Sequence, residues 1–297
     1  MGLEALSSMT SYTIVDTFPA FLAWWQGTQS LPLAAQVASW AAEYMAPWPE
    51  LLAMQQADYA AQGCDWREAA AARVFPHLAE RLPVMRAAHA QLAAVAAPAC
   101  RATMDALGWP AEVTLVFYVG IGCGAGWATR YEGRPAVLLG LESIAECSWS
   151  APETLRGLVA HEVGHLPHAD WRAAAGLAVG SGPFWQLYEE GFAQRAEHLA
   201  LGRESWHMAN GDWLAWCRER RAWLAAEFLR RAEAGEGGRE FFGSWYSIEG
   251  HSQCGYYLGH EVVQALQAQM SLREIAVLAD WEAGTRRALA GLAGTAG

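Results

Sequence analysis

The chain has 297 residues, of which 53% are hydrophobic and only 17% are charged, so it can bury a sizeable core in one large domain or two of ordinary size. Its formal net charge is -11. This acidity argues against nucleic acid or a membrane surface as a partner, because both require clustered Lys and Arg.

The amino terminus, MGLEALSSMTSYTIVDTF, has neither the basic nor the apolar segment of a signal peptide. No apolar run reaches the ~18 residues that a membrane-spanning helix needs. The six cysteines are dispersed and include no CxxC pair, which is not the spacing of a zinc ribbon or a disulfide framework. We therefore expect a soluble, cytoplasmic protein in which most of the cysteines are buried thiols.

The first third of the chain, residues 1–108, is rich in Ala and Leu at helical spacing and is interrupted by Pro and Gly, which predicts a helical region. The segment EVTLVFYVG then predicts a buried strand, because it is β-branched and aromatic. A glycine-rich turn, IGCGAG, follows it. The next segment, WATRYEGRPAVLLGLES, predicts a hairpin with Glu132 and Gly133 near its tip.

From about residue 150 onward the chain again has mainly helical spacing, with a polar, Gly-rich loop at residues 232–240. The fold class predicted from this order is α+β, mostly helical, with a small antiparallel or mixed sheet. We place the domain boundary where the helical spacing gives way to strand-forming residues. This gives an N-terminal helical region, 1–108, and a second domain, 109–297.

The segment LVAHEVGHLPH contains two histidines four residues apart with a glutamate between them. Upstream, the sequence SAPE predicts a capping box with Ser150 as the N-cap, and Pro167 predicts that the helix ends before it. On such a helix, His161 and His165 lie one turn and ~40° apart, so both imidazoles project from the same face. That arrangement suits two nitrogens that share one zinc ion.

Glu162 lies one step further round this helix, where it can reach a water molecule but is poorly placed to bind the same ion. An HExxH pattern also occurs by chance on ordinary helices. Here its neighbours Leu158, Val159, Val163 and Leu166 are apolar, which predicts a buried helix. Unpaired histidines and a carboxylate are costly to bury, and coordination to a metal removes that cost.

A catalytic zinc site needs a third protein ligand and one open position. The segment FWQLYEEGFAQRAEHLALG offers two adjacent candidates, Glu189 and Glu190, and helical periodicity does not choose between them. Each residue lies on a plausible stripe of this helix, so the ligand stays open on these grounds.

The segment EEGFA, with Glu197 after it, resembles the second ligand helix of the gluzincin metallopeptidases. A third segment, CGYYLGHEVVQAL, resembles the tyrosine-bearing helix of the same clan, although Leu258 replaces a common lysine. The combined pattern looks closest to poorly characterised bacterial proteins described as predicted zinc-dependent proteases. The resemblance covers roughly residues 110–265, and the spacing from HExxH to Glu190 is 24 intervening residues.

The resemblance implies a zinc metallopeptidase domain in residues 109–297, with a thermolysin-like core and the sheet packed on the HExxH helix. It implies one Zn2+ per chain, bound by His161, His165 and Glu190, with Glu162 as general base and then general acid. It assigns the oxyanion-stabilising phenol to Tyr256. The neighbours Tyr257, His251 and His260 stay open as alternatives. The expected substrate is a peptide or a protein.

The sequence also departs from the family. Where aminopeptidase relatives have the Met-Glu-Asn of a GAMEN segment, the chain has Gly126, Trp127 and Ala128, and we interpret Glu132 and Glu142 as surface or turn residues. This weakens the case for a strict aminopeptidase. Gln194 replaces a thermolysin-like aspartate, so we expect Glu197 to orient a histidine. The alternatives are a zinc hydrolase of a non-peptide amide or ester, and a non-catalytic regulatory protein with this fold.

Overall fold

The computed structural model describes residues 11–243 and 246–294, which are mostly helical and include a four-stranded mixed sheet. The predicted α+β class is therefore confirmed. The strands are β1 Ser11–Asp16, β2 Glu112–Tyr118, β3 Gly126–Tyr131 and β4 Arg134–Gly140. The α-helices are α1 Phe18–Thr28, α2 Leu33–Ser39, α3 Pro49–Ala61, α4 Trp66–Arg73, α5 Leu78–Leu107, α6 Leu141–Glu146, α7 Pro152–Ala174, α8 Gly182–Leu201, α9 Trp213–Glu219, α10 Arg221–Glu233, α11 Arg239–Phe242, α12 Cys254–Gln267, α13 Leu272–Ala276 and α14 Trp281–Leu292.

The described residues form two compact units. The first contains residues 11–101 and 110–162, and the second contains 102–109, 163–243 and 246–294. Of the three points at which the chain passes from one unit to the other, one lies inside α5, one lies between α5 and β2, and one lies inside α7. Within the described ranges, no helix combines the length and the hydropathy that crossing a membrane requires.

The sheet of the first unit has the strand order β1-β2-β4-β3. Strand β2 runs parallel to both β1 and β4, and β3 and β4 form the predicted antiparallel hairpin. At the hairpin tip, Glu132 and Gly133 have φ values of 50° and 75°. Two successive positive φ values are the requirement of a type I′ turn, whose twist matches that of the two strands.

Strand β1 corrects the prediction that residues 1–108 are helical throughout; residues 1–10 lie outside the described part. It pairs in parallel with β2, from Ser11 opposite Glu112 to Asp16 opposite Phe117. Its residues Tyr12 to Val15 are aromatic or β-branched, which is a local strand signal that the prediction of a helical region overlooked. Its pairing partner, β2, is distant in the chain, so the parallel pairing and its register could not be predicted from the local sequence.

Glu142 is another correction, because it is fully buried and is not a surface or turn residue. Its carboxylate accepts hydrogen bonds from the backbone N–H groups of Gly120 at 2.7 Å and Gly122 at 3.1 Å. The side-chain oxygen of Gln55 accepts from the N–H of Ile121. Burial raises the pKa of Glu142. These contacts hold the glycine-rich segment between β2 and β3 in place.

Helix α7 begins later and ends later than the sequence predicts. The N–H of Leu155 bonds to the carbonyl of Ala151, so Ala151 is the N-cap in place of Ser150. The helix continues through Pro167 to Ala174. Buried residues beyond the proline stabilise this continuation: the ring of His168 packs 4.7 Å from that of Phe192, and Arg172 donates to the carbonyl of Ala276. Tertiary packing thus outweighs the local penalty of proline.

Helices α8 and α12 form the centre of the second unit. A Cβ atom on Gly259 would lie 2.5 Å from the carbonyl oxygen of Leu187, so only glycine permits this crossing. Around it, the aromatic side chains of Trp185, Tyr188 and Phe192 pack with α12 and α13 in one hydrophobic cluster. The second unit therefore has its own core, built on the helix that carries the EEGFA segment.

Candidate metal centre

Helix α7 approaches α8 closely because the residue directly before His165 is a glycine, Gly164. A Cβ atom on Gly164 would lie 2.8 Å from the Cβ of Ala196 and 3.3 Å from the Cα of Ala193. These small residues let the two helices approach closely, directly beside His165. The carboxylates of α8 are consequently within reach of the HExxH segment.

His161, His165 and Glu190 each offer one ligand atom, and these three atoms lie within 4.8 Å of one another. The Nε2 of His165 is 3.4 Å from the Oε2 of Glu190. This distance is longer than the roughly 2.7–2.9 Å of a charge-assisted hydrogen bond. Tetrahedral zinc with bonds of about 2.0–2.1 Å would place neighbouring ligand atoms about 3.4 Å apart. Both the donor set and this spacing fit zinc.

The two adjacent glutamates of α8 have different surroundings. Glu190 belongs to the group described above, whereas the metal-compatible groups found among the described residues do not include Glu189. The carboxylate of Glu189 takes part in a side-chain hydrogen bond with Trp185 and is near enough to His165 to interact with it electrostatically. Burial, the largest effect, raises the pKa of Glu189.

A second group contains His161, Glu197 and His207, all buried and with one ligand atom of each within 4.8 Å of the others. Glu197 is fully buried, and its carboxylate accepts from Gln194 Nε2 at 2.9 Å, Ser205 Oγ at 2.6 Å and His207 Nδ1 at 2.8 Å. Three donors stabilise its charged form. A carboxylate so close to His161 has the chemistry needed to orient an imidazole.

Glu197 is a residue predicted from the sequence, whereas Ser205 and His207 are not. Both residues follow the end of α8, in a segment without helical or strand periodicity. No spacing rule links them to Glu197, which lies eight and ten residues earlier. The only available signal was the polar Ser-Trp-His sequence after the helix, and such segments are common in surface loops.

The candidate general base, Glu162, packs against the first residue of β3. A Cβ atom on Gly126 would lie 2.5 Å from both the Cγ and the Cδ of Glu162. Any side chain at residue 126 would therefore displace the glutamate.

Tyr256 and Tyr257 point to different surroundings on α12. The ring of Tyr256 is partly exposed and lies 6.3 Å from the ring of His207 and 5.7 Å from that of Phe242. Tyr257 is buried, with its ring 5.6 Å from that of Trp206. Burial raises the pKa of Tyr257 to about 12. Of the two phenols, Tyr256 is the one beside the His207–Glu197 pair.

The two histidines considered as alternatives to Tyr256 are engaged elsewhere. His251 stacks on Trp216 with their ring centroids 4.2 Å apart, and its Nε2 is 3.3 Å from Asp212. His260 is buried beside His198 at a ring distance of 4.3 Å. The metal-compatible groups of the described residues include neither His251 nor His260.

The described arrangement therefore offers two imidazoles and a carboxylate for a cation, with a further carboxylate one residue after the first histidine. Comparisons with known proteins add no assignment. No protein-family model matches the chain, and the searches of curated proteins and of solved structures found no match either.

Proposed function

We propose that the protein is a zinc-dependent peptidase of the gluzincin type, with one Zn2+ per chain bound by His161, His165 and Glu190. The observation that carries this proposal is the three-residue group itself, with its 3.4 Å spacing between His165 Nε2 and Glu190 Oε2. The proposal includes a thermolysin-like core, in which the sheet of the first unit and α7 would correspond to the family's sheet and active-site helix.

Glu162 is the proposed proton carrier. When bound, zinc would polarise the substrate carbonyl and lower the pKa of a water molecule. The carboxylate of Glu162 would accept the proton from that water and deliver it to the leaving amine. Its contact with Gly126 supports this role, because a general base must be held within hydrogen-bond reach of the proton that it removes.

Tyr256 is the proposed donor to the carbonyl oxygen of the scissile bond as that oxygen gains charge. Its partly exposed ring supports the choice, because it lies near His207, which belongs to the group that contains His161. In this proposal Tyr257 is a residue of the hydrophobic core and has no catalytic role.

The proposed substrate is an extended peptide or a segment of a protein. Strand β3 is at the end of the sheet, and none of the described strands pairs with its outer edge. An extended chain could add to this edge by main-chain hydrogen bonds. Because β3 begins at Gly126, beside Glu162, a peptide on that edge would run close to the proposed base.

The surroundings of two glutamates argue against a requirement for a free substrate amino group. Glu142 is fully buried and bonded to Gly120 and Gly122, and Glu132 occupies the hairpin turn, where its N–H donates to Glu50. Neither carboxylate therefore replaces the amine-binding glutamate of the aminopeptidases.

A metal analysis combined with a peptide-library assay tests the proposal. We expect about one zinc per chain, lost in the double variant of His161→Ala and His165→Ala, and cleavage of both free and N-acetylated peptides. The matched control is Glu162→Gln, which should keep zinc but lose ~10²–10⁴-fold in rate.

Full zinc in the double histidine variant would contradict the metal site. Turnover of esters or small amides alone would indicate the non-peptide hydrolase, and zinc without any turnover would indicate the regulatory protein.

A further inference from the structure

The second unit contains a pocket of about 780 Å³ that lies between α8, α12 and the α9–α10 segment. None of the residues of the two metal-compatible groups lines it. Its volume is in the range of small-molecule sites, roughly 300–1,000 Å³. The pocket thus has room for a ligand that is independent of the proposed zinc chemistry.

The pocket wall is cationic, although the chain as a whole is acidic. Four arginines and two glutamates line it, a surplus of two positive charges from side chains that ionise near neutral pH: Arg195, Arg203, Arg218, Arg221, Glu204 and Glu261. The complete chain, by contrast, has a formal net charge of -11. Such a local excess of guanidinium groups attracts anions, and the concave surface strengthens the effect.

Contacts with neighbouring residues hold these arginines in place. Arg218 bonds to both carboxylate oxygens of Glu204 through one nitrogen, and the NH1 of Arg221 is 3.2 Å from Glu261. Both arginine side chains remain about half exposed. Because a guanidinium has five N–H donors, each group has further donors for a ligand in the pocket. Planar donors of this kind match the oxygens of phosphate.

Two buried histidines line the same pocket as the arginines and contribute hydrogen-bond acceptors. The rings of His198 and His260 are 4.3 Å apart, with exposures of 7% and 4%. The Nε2 atoms of both rings are buried and have no hydrogen-bond partner among the described residues. A buried polar atom without a partner is uncommon and points to a missing ligand or water.

The tautomers of both imidazoles follow from their other nitrogens. His198 bonds to the backbone of Ser205, and the Nδ1 of His260 faces the Oε1 of Glu261 at 3.3 Å, so Nδ1 carries the proton in each ring. Burial, followed by the neighbouring His260, lowers the pKa of His198 to about 4, which keeps that ring neutral near pH 7. In the neutral form of a ring with its proton on Nδ1, the Nε2 lone pair is an acceptor for a hydrogen bond.

We propose that this pocket binds a small phosphate compound that also presents O–H groups, either inorganic phosphate or a phosphorylated polyol. The arginines provide N–H donors and positive charge for the phosphate oxygens, and the Nε2 atoms of His198 and His260 accept the O–H groups. A metal bound by the two histidines would need a third protein ligand nearby, and the metal-compatible groups of the described residues do not include this pair.

Sulfate is the discriminating control, because it has the size and charge of phosphate but carries no proton near neutral pH. We expect calorimetric titration of the full-length, zinc-loaded protein to show saturable binding of inorganic phosphate, with sulfate binding roughly tenfold or more weakly. Glycerol phosphate distinguishes the two sources of the phosphate group: tighter binding than inorganic phosphate indicates an organic ligand, and weaker binding indicates the free ion. Equal affinity for sulfate and phosphate would overturn the proposal, as would the absence of phosphate binding.

Matched variants locate the binding site. Arg221→Gln should weaken phosphate binding at least tenfold, whereas Arg230→Gln should leave it unchanged, although both remove one positive charge from α10. His198→Phe keeps a ring but removes the acceptor, so the preference for phosphate over sulfate should fall. Thermal melting checks that each variant is folded. His165→Ala should still bind phosphate; loss of binding in this variant, or equal loss in both arginine variants, would overturn the pocket assignment.

Discussion

A Cβ atom on Gly259 would stand 2.9 Å from the Cα of Gly191, so helices α12 and α8 touch backbone to backbone at this point. Gly191 directly follows Glu190, and Gly259 lies three residues after Tyr256. The glycine of the EEGFA segment and the glycine of the YYLG segment are therefore in contact with each other. They set the spacing between the helix with the proposed third ligand and the helix with the proposed phenol.

The Gly259→Ala variant should lose stability because no space exists for its methyl group. Backbone atoms form the obstacle, and they cannot move as a side chain can, so the free energy of unfolding should fall by about 1–3 kcal/mol or more. Gly27→Ala is the control, since nothing lies within 4 Å of its Cβ position in α1. That change should be neutral or stabilise by about 0.5–1 kcal/mol. Urea denaturation of both variants measures the difference, and equal stabilities would contradict the close contact.

The sequence was sufficient for features that depend on local pattern. The β3–β4 hairpin follows from strand propensity and from Glu132-Gly133, whose positive φ values fit the turn. Helix α7 follows from its apolar spacing, and the i, i+4 relation of His161 and His165 follows from helix geometry. These predictions need no knowledge of which segments meet in space.

Features that depend on distant contacts could not be predicted in this way. Helix α7 continues past Pro167 because of packing against α8 and α13, and the parallel pairing of β1 joins it to β2, which is distant in the chain. Glu142 is buried because the Gly120–Gly122 backbone surrounds its carboxylate with donors. In each case the contacting residue is far away in the chain, or it contributes only backbone atoms, which no sequence pattern identifies.

Removing each of the two adjacent glutamates should have different consequences for zinc. Glu190→Ala should weaken zinc binding strongly, because a charged oxygen would leave the group formed with His161 and His165. Glu189→Ala should keep zinc affinity within a few fold, since its carboxylate projects about 100° away around the helix and contacts Trp185. Zinc titration into the apo forms measures both affinities. If Glu189→Ala loses the metal while Glu190→Ala keeps it, the register taken from the gluzincin resemblance is wrong by one residue.

Gly126→Ala should reduce activity without removing zinc. Its methyl group would overlap the Cγ and Cδ of Glu162, so the carboxylate must move from its present position. Because a misplaced general base loses much of its contribution of roughly 10²–10⁴-fold, we expect kcat to fall by at least tenfold. Zinc content measured beside peptide cleavage separates this effect from metal loss.

The control for this prediction is the combination of Gly126→Ala with Glu162→Gln. If the alanine acts through Glu162, the double variant should be no slower than Glu162→Gln alone, since the effects of residues that act as a unit do not add. If the rate losses of the two single variants instead multiply in the double variant, Gly126 has another role, such as support for strand β3.

The last prediction separates the two adjacent tyrosines of α12. Tyr256→Phe should lower kcat and leave zinc affinity unchanged, because the lost hydrogen bond is one made mainly in the transition state. Tyr257→Phe is the matched control, since it removes the same atom from a buried ring that packs on Trp206. We expect near-normal kcat for this variant. Steady-state kinetics on one peptide, with zinc measured in each preparation, gives the comparison. A normal kcat in Tyr256→Phe together with a reduced kcat in Tyr257→Phe would reverse the two roles and remove the resemblance-based assignment of α12.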